Sequence, residues 1–347
     1  NGLKYMMYNC LRRYSLMTKA NFAKKLLSVI LAVCMVLTAI PAALAAPAST
    51  KPGSLLFATA SDIHLYPASL AQNKSEAFYT YLQGSNIVYE DMYSILDSTF
   101  AALEKDAREK GLKYLFLSGD LTTNGEYEGH IALAEKLREF ETKTGIKVYV
   151  TNGNHDINNS NASAFDENGA KIPARKTTPQ EFYQIYREFG YDDAYAHFDD
   201  YESGRAGALS YSVKLDGGYR LIVADGGKYT HYNTASGEDE HETGGCLSDE
   251  LVEWILAQAK DATDNGETPL FATHWNLSGM NYLHEYLLQG FVIDDCYKLQ
   301  EIFADNNIHF AFSGHQHASD IDITYSDSGE QLYSIITPTL SEFPFSF

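Results

Sequence analysis

The chain has 347 residues, 45% of them hydrophobic, and a formal net charge of −20. That length and apolar content fit one large globular domain with a sizeable core. The charge excludes partners bound through their own negative backbone or surface, such as a nucleic acid or an anionic membrane, and fits small substrates with cations offsetting local negative charge.

Residues 19–45 read as a secretory signal peptide. Lys19, Lys24 and Lys25 supply its positive start, Leu26 to Ile40 its apolar run, and Ala43-Leu44-Ala45 a small-x-small cleavage site. The apolar run is too short to favour a membrane span. No span is expected after cleavage, and the protein is expected to be exported, outside the cell or at its surface. Residues 1–16 read as sequence upstream of a natural start at Met17. Residues 46–54 form a linker, and residues 55–347 one catalytic domain. Cleavage leaves Cys246 and Cys296, which lack C-x-x-C spacing. Pairing between them is open from sequence, and two unpaired thiols is the plainer reading.

Within the domain, Leu55 to Ala60 reads as a first buried strand, ending before Asp62 and His64. Pro67 to Gly84 reads as a loop. Met92, Ile95, Leu96, Phe100 and Leu103 recur at helical spacing and predict a helix over about 91–110, stopped by Gly111. Tyr114 to Ser118 predicts a second strand, ending at Asp120. A second helix is expected over about 126–142, and Val148 to Thr151 then predicts a third strand before Asn154 and His155. This β-α-β-α-β order argues for a parallel sheet covered by helices.

The middle of the chain is more polar. Residues 157–178 read as a long loop, 178–189 as a helix, and 194–224 as short antiparallel strands in a mixed sheet. Residues 231–245 read as a solvated polar loop. Ser248 caps a helix running to about Lys260. Leu270 to Thr273 predicts a strand before His274, and the irregular stretch after it contains Trp275, Tyr282, His284 and Tyr286. A helix over about 293–304 precedes a strand, His309 to Ser313, that ends before His315 and His317. A last strand begins at Tyr333, and the chain ends soon after it, at Phe347, which is compatible with truncation before a further domain or wall anchor.

Candidate ligands therefore follow five separate strands, where α/β proteins place their binding sites. Carboxylate, imidazole and amide donors together suit Mn, Fe or Zn better than Ca or Mg. In a two-metal site a carboxylate bridges two cations about 3.5–4 Å apart, and their bound water becomes a nucleophile near neutral pH. A histidine off the metals can then protonate the leaving oxygen.

The blocks Asp62-Ile63-His64, Gly119-Asp120, Gly153-Asn154-His155-Asp156, His274 and Gly314-His315-Gln316-His317 occur in this order. Together they resemble the calcineurin-like metallophosphoesterase superfamily. The resemblance implies a four-layer α/β/β/α sandwich with mixed sheets. It implies Asp62, His64 and His317 as ligands of a first metal, Asn154, His274 and His315 of a second, and Asp120 as the bridge. His155 is implied as the leaving-group acid, with Asp156 orienting its ring. Asn124 and Trp275 are candidate substrate contacts. Thr123 stands where the purple acid phosphatase branch has tyrosine, so Tyr–Fe(III) ligation is not expected, and the run after Asp120 looks closer to bacterial phosphodiesterase-like members. The expected function is an exported phosphoesterase with two metal ions, acting on a small phosphate ester, diester over monoester. The alternatives are a non-catalytic interaction scaffold on the same fold and a hydrolase of phosphorylated cell-envelope material. The natural substrate and the oligomeric state are not set by the sequence.

Overall fold

The computed structural model describes residues 53–341 except 85, 86, 281–283 and 288. The signal segment, the linker up to residue 52 and Tyr282, with the Tyr286 side chain, lie outside the described residues.

A three-stranded parallel sheet holds the N-terminal half. Its strands are β1 (Ala58–Ala60), β2 (Tyr114–Leu117) and β3 (Lys147–Val150), in that spatial order. Helices α1 (Glu76–Gly84) and α2 (Met92–Lys110) lead from β1 to β2, and α3 (Tyr127–Thr144) leads from β2 to β3. The apolar stripes that predict α2 and α3 are the buried ones, with Met92 and Leu96 on α2 and Leu133, Leu137 and Phe140 on α3. Gly111 ends α2 at φ 74°, with its N–H bonded back to Asp106 and Ala107 carbonyls, a left-handed cap that glycine adopts without steric cost.

Beyond β3 come a hairpin of β4 (Ser163–Phe165) and β5 (Lys171–Pro173), then α4 (Pro179–Tyr186). Thr178 and Glu181 form a capping box at the start of α4. Next are β6 (Ala196–His197), β7 (Tyr211–Leu215), β8 (Tyr219–Val223), the hairpin β9 (His231–Asn233) and β10 (Glu238–Glu240), and α5 (Asp249–Asp264). The chain continues through β11 (Thr268–Ala272), the single turn α6 (His284–Leu287), α7 (Cys296–Asp305), β12 (Phe310–Ser313), β13 (Asp320–Tyr325) and β14 (Gln331–Ile336). Seven of these strands form a mixed sheet in the order β13-β14-β12-β11-β8-β7-β6. Its centre, β14 to β8, is parallel and both margins are antiparallel.

The two sheets share one core and helices cover the outer faces, which is the four-layer arrangement. Alternation along the central strands sorts the side chains. Leu221, Val223, Leu270 and Phe312 join the core containing Leu115, Leu117 and Val150. Their neighbours Ile222, Ala224, Phe271 and Ala311 join Leu251 and Ile255 of α5 and Phe303 of α7. No disulfide joins Cys246 to Cys296.

Several expectations about local structure are corrected. The stretch 67–84 is not all loop, because α1 buries Phe78 and Leu82 one turn apart. Two apolar residues make too thin a stripe to read, and Phe78 gains its hold from Tyr89 and Phe165 rings, 4.9 and 5.2 Å away. The stretches 157–178 and 231–245 each contain a hairpin of three-residue strands hidden under polar composition. Strand β13 is also additional, its Ile321, Ile323 and Tyr325 facing outward.

Candidate metal centre

Asp62 and His64 follow β1, Asp120 follows β2 and Asn154 follows β3, all from the small sheet. His274 follows β11, and His315 and His317 follow β12, from the large one. Parallel strands end at the same level, so seven side chains from distant sequence positions meet where the two sheets adjoin.

Two groups of donors share Asp120. One is Asp62, His64, Asp120 and His317, the other Asp120, His274 and His315, and within each group the donor atoms lie within 4.8 Å of one another. Asn154 joins the second group, its Oδ1 3.2 Å from His274 Nε2. Asp120 Oδ2 is 3.3 Å from His274 Nε2 and 3.9 Å from His64 Nε2, so one oxygen looks toward both groups. Asp62 Oδ1 is 3.2 Å from His317 Nε2. The sequence-expected ligands are thus brought together.

Backbone groups hold each donor from behind. Asp120 Oδ1 accepts the His155 N–H at 2.8 Å, and Asp62 Oδ2 accepts the His315 N–H at 3.0 Å, leaving the other oxygen of each carboxylate toward the cluster. His274 Nδ1 donates to the Ser118 carbonyl at 2.7 Å, which presents Nε2. His315 Nε2 donates to the Gly290 carbonyl at 2.8 Å, which presents Nδ1. Such outer contacts select the tautomer and aim the ring.

The backbone is strained here. Asp62, His64, Asp120, His315 and His317 all have positive φ, between 48° and 67°. Non-glycine residues in this region cost about 1–3 kcal/mol each and persist where surrounding structure over-determines them. Close approach also selects two glycines. A Cβ on Gly153 would collide with Asp120 Oδ1, and one on Gly314 with Ser61 Oγ and Asp62 Oδ2.

The electrostatics call for a cation. Burial alone would raise the Asp120 pKa, but His274, His155 and His64 outweigh it and hold the group well below the usual carboxylate range. Asp62 is likewise lowered against its burial, chiefly by His317. Burial opposes charge on His274 too, yet Asp120 lifts its pKa to about 9. Two ionised carboxylates thus draw a proton onto an imidazole whose Nε2 faces Asp120 Oδ2 and Asn154 Oδ1. A metal ion bound there would replace that proton, and the donor set fits a divalent metal centre.

Three expected residues occupy different roles. Asp156 does not orient the His155 ring. Its Oδ1 accepts the Leu121 and Thr122 N–H groups at 2.8 and 3.1 Å, and its Oδ2 accepts Gly153 N–H at 2.8 Å. It ties the loop after β2 to the loop after β3. The His155 ring is instead set by Nδ1 donating to the Thr123 carbonyl at 2.6 Å, with Asn124 Oδ1 at 3.1 Å. Asn124 also donates to Tyr81 Oη at 2.6 Å and accepts from Asn159 at 3.3 Å. Its amide therefore positions His155 rather than facing substrate. Trp275 is fully buried and cannot touch substrate. It packs edge-on against His274, ring centres 5.0 Å apart, and donates to the Thr243 carbonyl at 2.9 Å. The His284 ring is tilted against Phe291 with centres 6.5 Å apart, and the Phe291 ring is 5.6 Å from that of His315.

One residue at the site was not anticipated. His241, just past β10 in the stretch read as a solvated loop, is half-buried and lies within electrostatic reach of His155 and Asp120. Flanked by acidic residues and outside any motif, it carries no sequence signal.

Fold and donors together define a metal-dependent hydrolase. Residues 55–319 match the calcineurin-like phosphoesterase family, and the chain belongs to it as a metal-dependent phosphoric ester hydrolase. Among solved structures, a dimetal phosphatase from Danio rerio is similar at 12% identity and a TM-score of 0.51, over 83% of this chain and 88% of that one. That likeness shows the fold. A phosphopantetheinyl hydrolase from Mycobacterium tuberculosis aligns at 11% identity over 82% of this chain and 89% of that one, but its TM-score of 0.34 carries no argument. No curated protein matches the chain.

Two outcomes follow. Asp156→Ala leaves three buried N–H groups without acceptors and should destabilise the fold by about 3 kcal/mol or more, measured by urea unfolding. An unchanged midpoint with activity alone lost would return Asp156 to a role on His155. An imidazole must be neutral to ligate, so at pH 7, below the His274 value of about 9, metal loading should release about one proton per chain from this residue. Calorimetry in buffers of different ionisation heat measures it, and the His274 share should vanish well above that pH.

Proposed function

We propose that the protein hydrolyses phosphate esters at a centre of two metal ions, with diesters preferred and His155 as the leaving-group acid. The observation that carries this reading is Asp120 Oδ2, a single oxygen facing both donor groups. Asp62, His64 and His317 would hold one ion, Asn154, His274 and His315 the other, and Asp120 both. Bound there, the ions would supply Lewis acidity toward phosphoryl oxygens and lower the pKa of coordinated water. The imidazole, carboxylate and amide mixture favours Mn, Fe or Zn. Thr123 donates its hydroxyl to the His64 carbonyl at 2.8 Å, which supports a centre without a tyrosine ligand.

His155 stands beside this centre, edge-on to His64 with ring centres 5.0 Å apart. Nδ1 donates to the Thr123 carbonyl, which leaves Nε2 for the substrate. As the imidazolium, the ring would pass its Nε2 proton to the departing oxygen and keep the one on Nδ1.

The preference for diesters is supported by the cations that are already engaged. Enzymes that clamp a phosphate dianion favour the bidentate guanidinium fork. Every arginine among the described residues is ion-paired with a carboxylate outside the cluster. A singly charged diester needs no such clamp. Export, by the segment from Lys19 to Ala45, is part of the proposal, and among the described residues no helix is long and apolar enough to cross a membrane.

The test is elemental analysis of residues 46–347 with turnover of bis-nitrophenyl and nitrophenyl phosphate before and after chelation. About two metals per chain and chelator-sensitive turnover are expected, with the diester faster. Asp120→Ala should lose metal and activity together, because one carboxylate serves both ions; full metal retention sinks the assignment. His155→Ala should keep its metal and lose about 10²–10⁴-fold in rate, less for nitrophenolate than for an alkoxide. An equal loss for both leaving groups would refute the acid role.

A further inference from the structure

The stretch after β10 is tied by hydrogen bonds to residues packed behind the metal centre, although Glu242 and Thr243 themselves are exposed. Glu242 N–H donates to the Lys228 carbonyl at 2.8 Å, Thr243 carbonyl accepts from Trp275, and Gly245 carbonyl accepts Asp294 N–H at 2.9 Å. Trp275 lies directly on His274, and its ring centre is 6.1 Å from that of His315. Gly290, whose carbonyl receives His315, abuts Thr243 from the other side. Residues 242–245 are therefore fixed behind the second donor group, and His241, just before them, lies within electrostatic reach of His155 and Asp120.

The imidazole of His241 is half-buried, and its Nδ1 is buried with no hydrogen-bond partner among the described residues. A buried polar nitrogen without a partner is costly unless something supplies one. Burial, then the neighbouring His155, lowers its pKa, so the ring is neutral at pH 7 and carries one N–H. The two lysines beside this segment are committed elsewhere. Lys176 pairs with Glu238 at 2.6 Å and Lys228 with Asp294 at 2.7 Å. With the arginines also paired, His241 carries a ring nitrogen that has no partner among the described residues.

We propose that His241 is a substrate-contacting residue, its imidazole N–H donating to a non-bridging oxygen of the phosphoryl group. This rests on the phosphoesterase reading above. His155 serves the leaving oxygen and His241 the oxygen that stays with phosphorus, so the two imidazoles divide the substrate between them. A neutral donor at this point suits the single negative charge of a diester.

The experiment compares wild type, His241→Ala and His241→Gln as metal-loaded proteins, with inorganic phosphate as the binding probe. Calorimetric phosphate affinity should fall about tenfold or more in His241→Ala, the worth of one hydrogen bond to a charged group. His241→Gln, which keeps an N–H, should recover part of it. For bis-nitrophenyl phosphate the alanine loss should fall on KM as well as kcat, and should not depend on the leaving group, unlike that of His155→Ala. Metal content and melting temperature should stay at wild-type values. Unchanged phosphate affinity in His241→Ala overturns the proposal, as does loss of metal, which would make the residue structural. If wild type binds metal and phosphate but turns over neither ester, the phosphoesterase reading fails, while the phosphate series still decides the contact.

Discussion

Everything in this molecule that bears on function depends on placing two ionised carboxylates, Asp62 and Asp120, in a fully buried volume. Burial by itself would neutralise them. They stay charged because imidazoles from both sheets converge on them, and because one oxygen of each is held by a backbone N–H. Excess negative charge in a dry site attracts a cation, and the geometry around Asp120 Oδ2 points to a centre able to share one ligand between two ions.

The supporting structure exists to keep that arrangement from relaxing. Five of the seven donor residues sit in left-handed backbone, which a free loop would abandon. Hydrogen bonds across loops oppose this. His64 N–H reaches the Asp120 carbonyl and Asp62 N–H the Gly119 carbonyl. Asp156 gathers three amides from two loops, and Trp275 fills the space behind His274. Asp156 and Trp275 look like parts of the reaction in the linear motif, but in space they serve as struts. His155, aimed by a peptide carbonyl and the Asn124 amide, stands edge-on to His64 beside the cluster.

Much of the fold was legible because the signals were long and periodic. Helices α2 and α3 bury the stripes their sequences display, and the ligand-bearing strands end within a residue or two of expectation. What escaped was short. Helix α1 and the two hairpins draw their stability from contacts such as Phe78 on Phe165, which no local window contains. Strand β13 alternates as a strand should, but with its apolar residues outward, so its pattern has no core to point to.

The donor types, their order and their attachment to strand ends can be read from the chain alone, because metal chemistry restricts the donors and parallel sheets restrict where they emerge. What each neighbouring side chain does cannot be read that way, since a loop residue faces whatever the fold brings opposite it. Packing alone makes Asp156 bind amides, Asn124 hold His155 and Trp275 lie buried, and brings His241 within electrostatic reach of Asp120 across 121 positions of chain. All four share one cause. Hydrogen-bond partners and burial are properties of long-range contacts, which local composition and spacing do not encode.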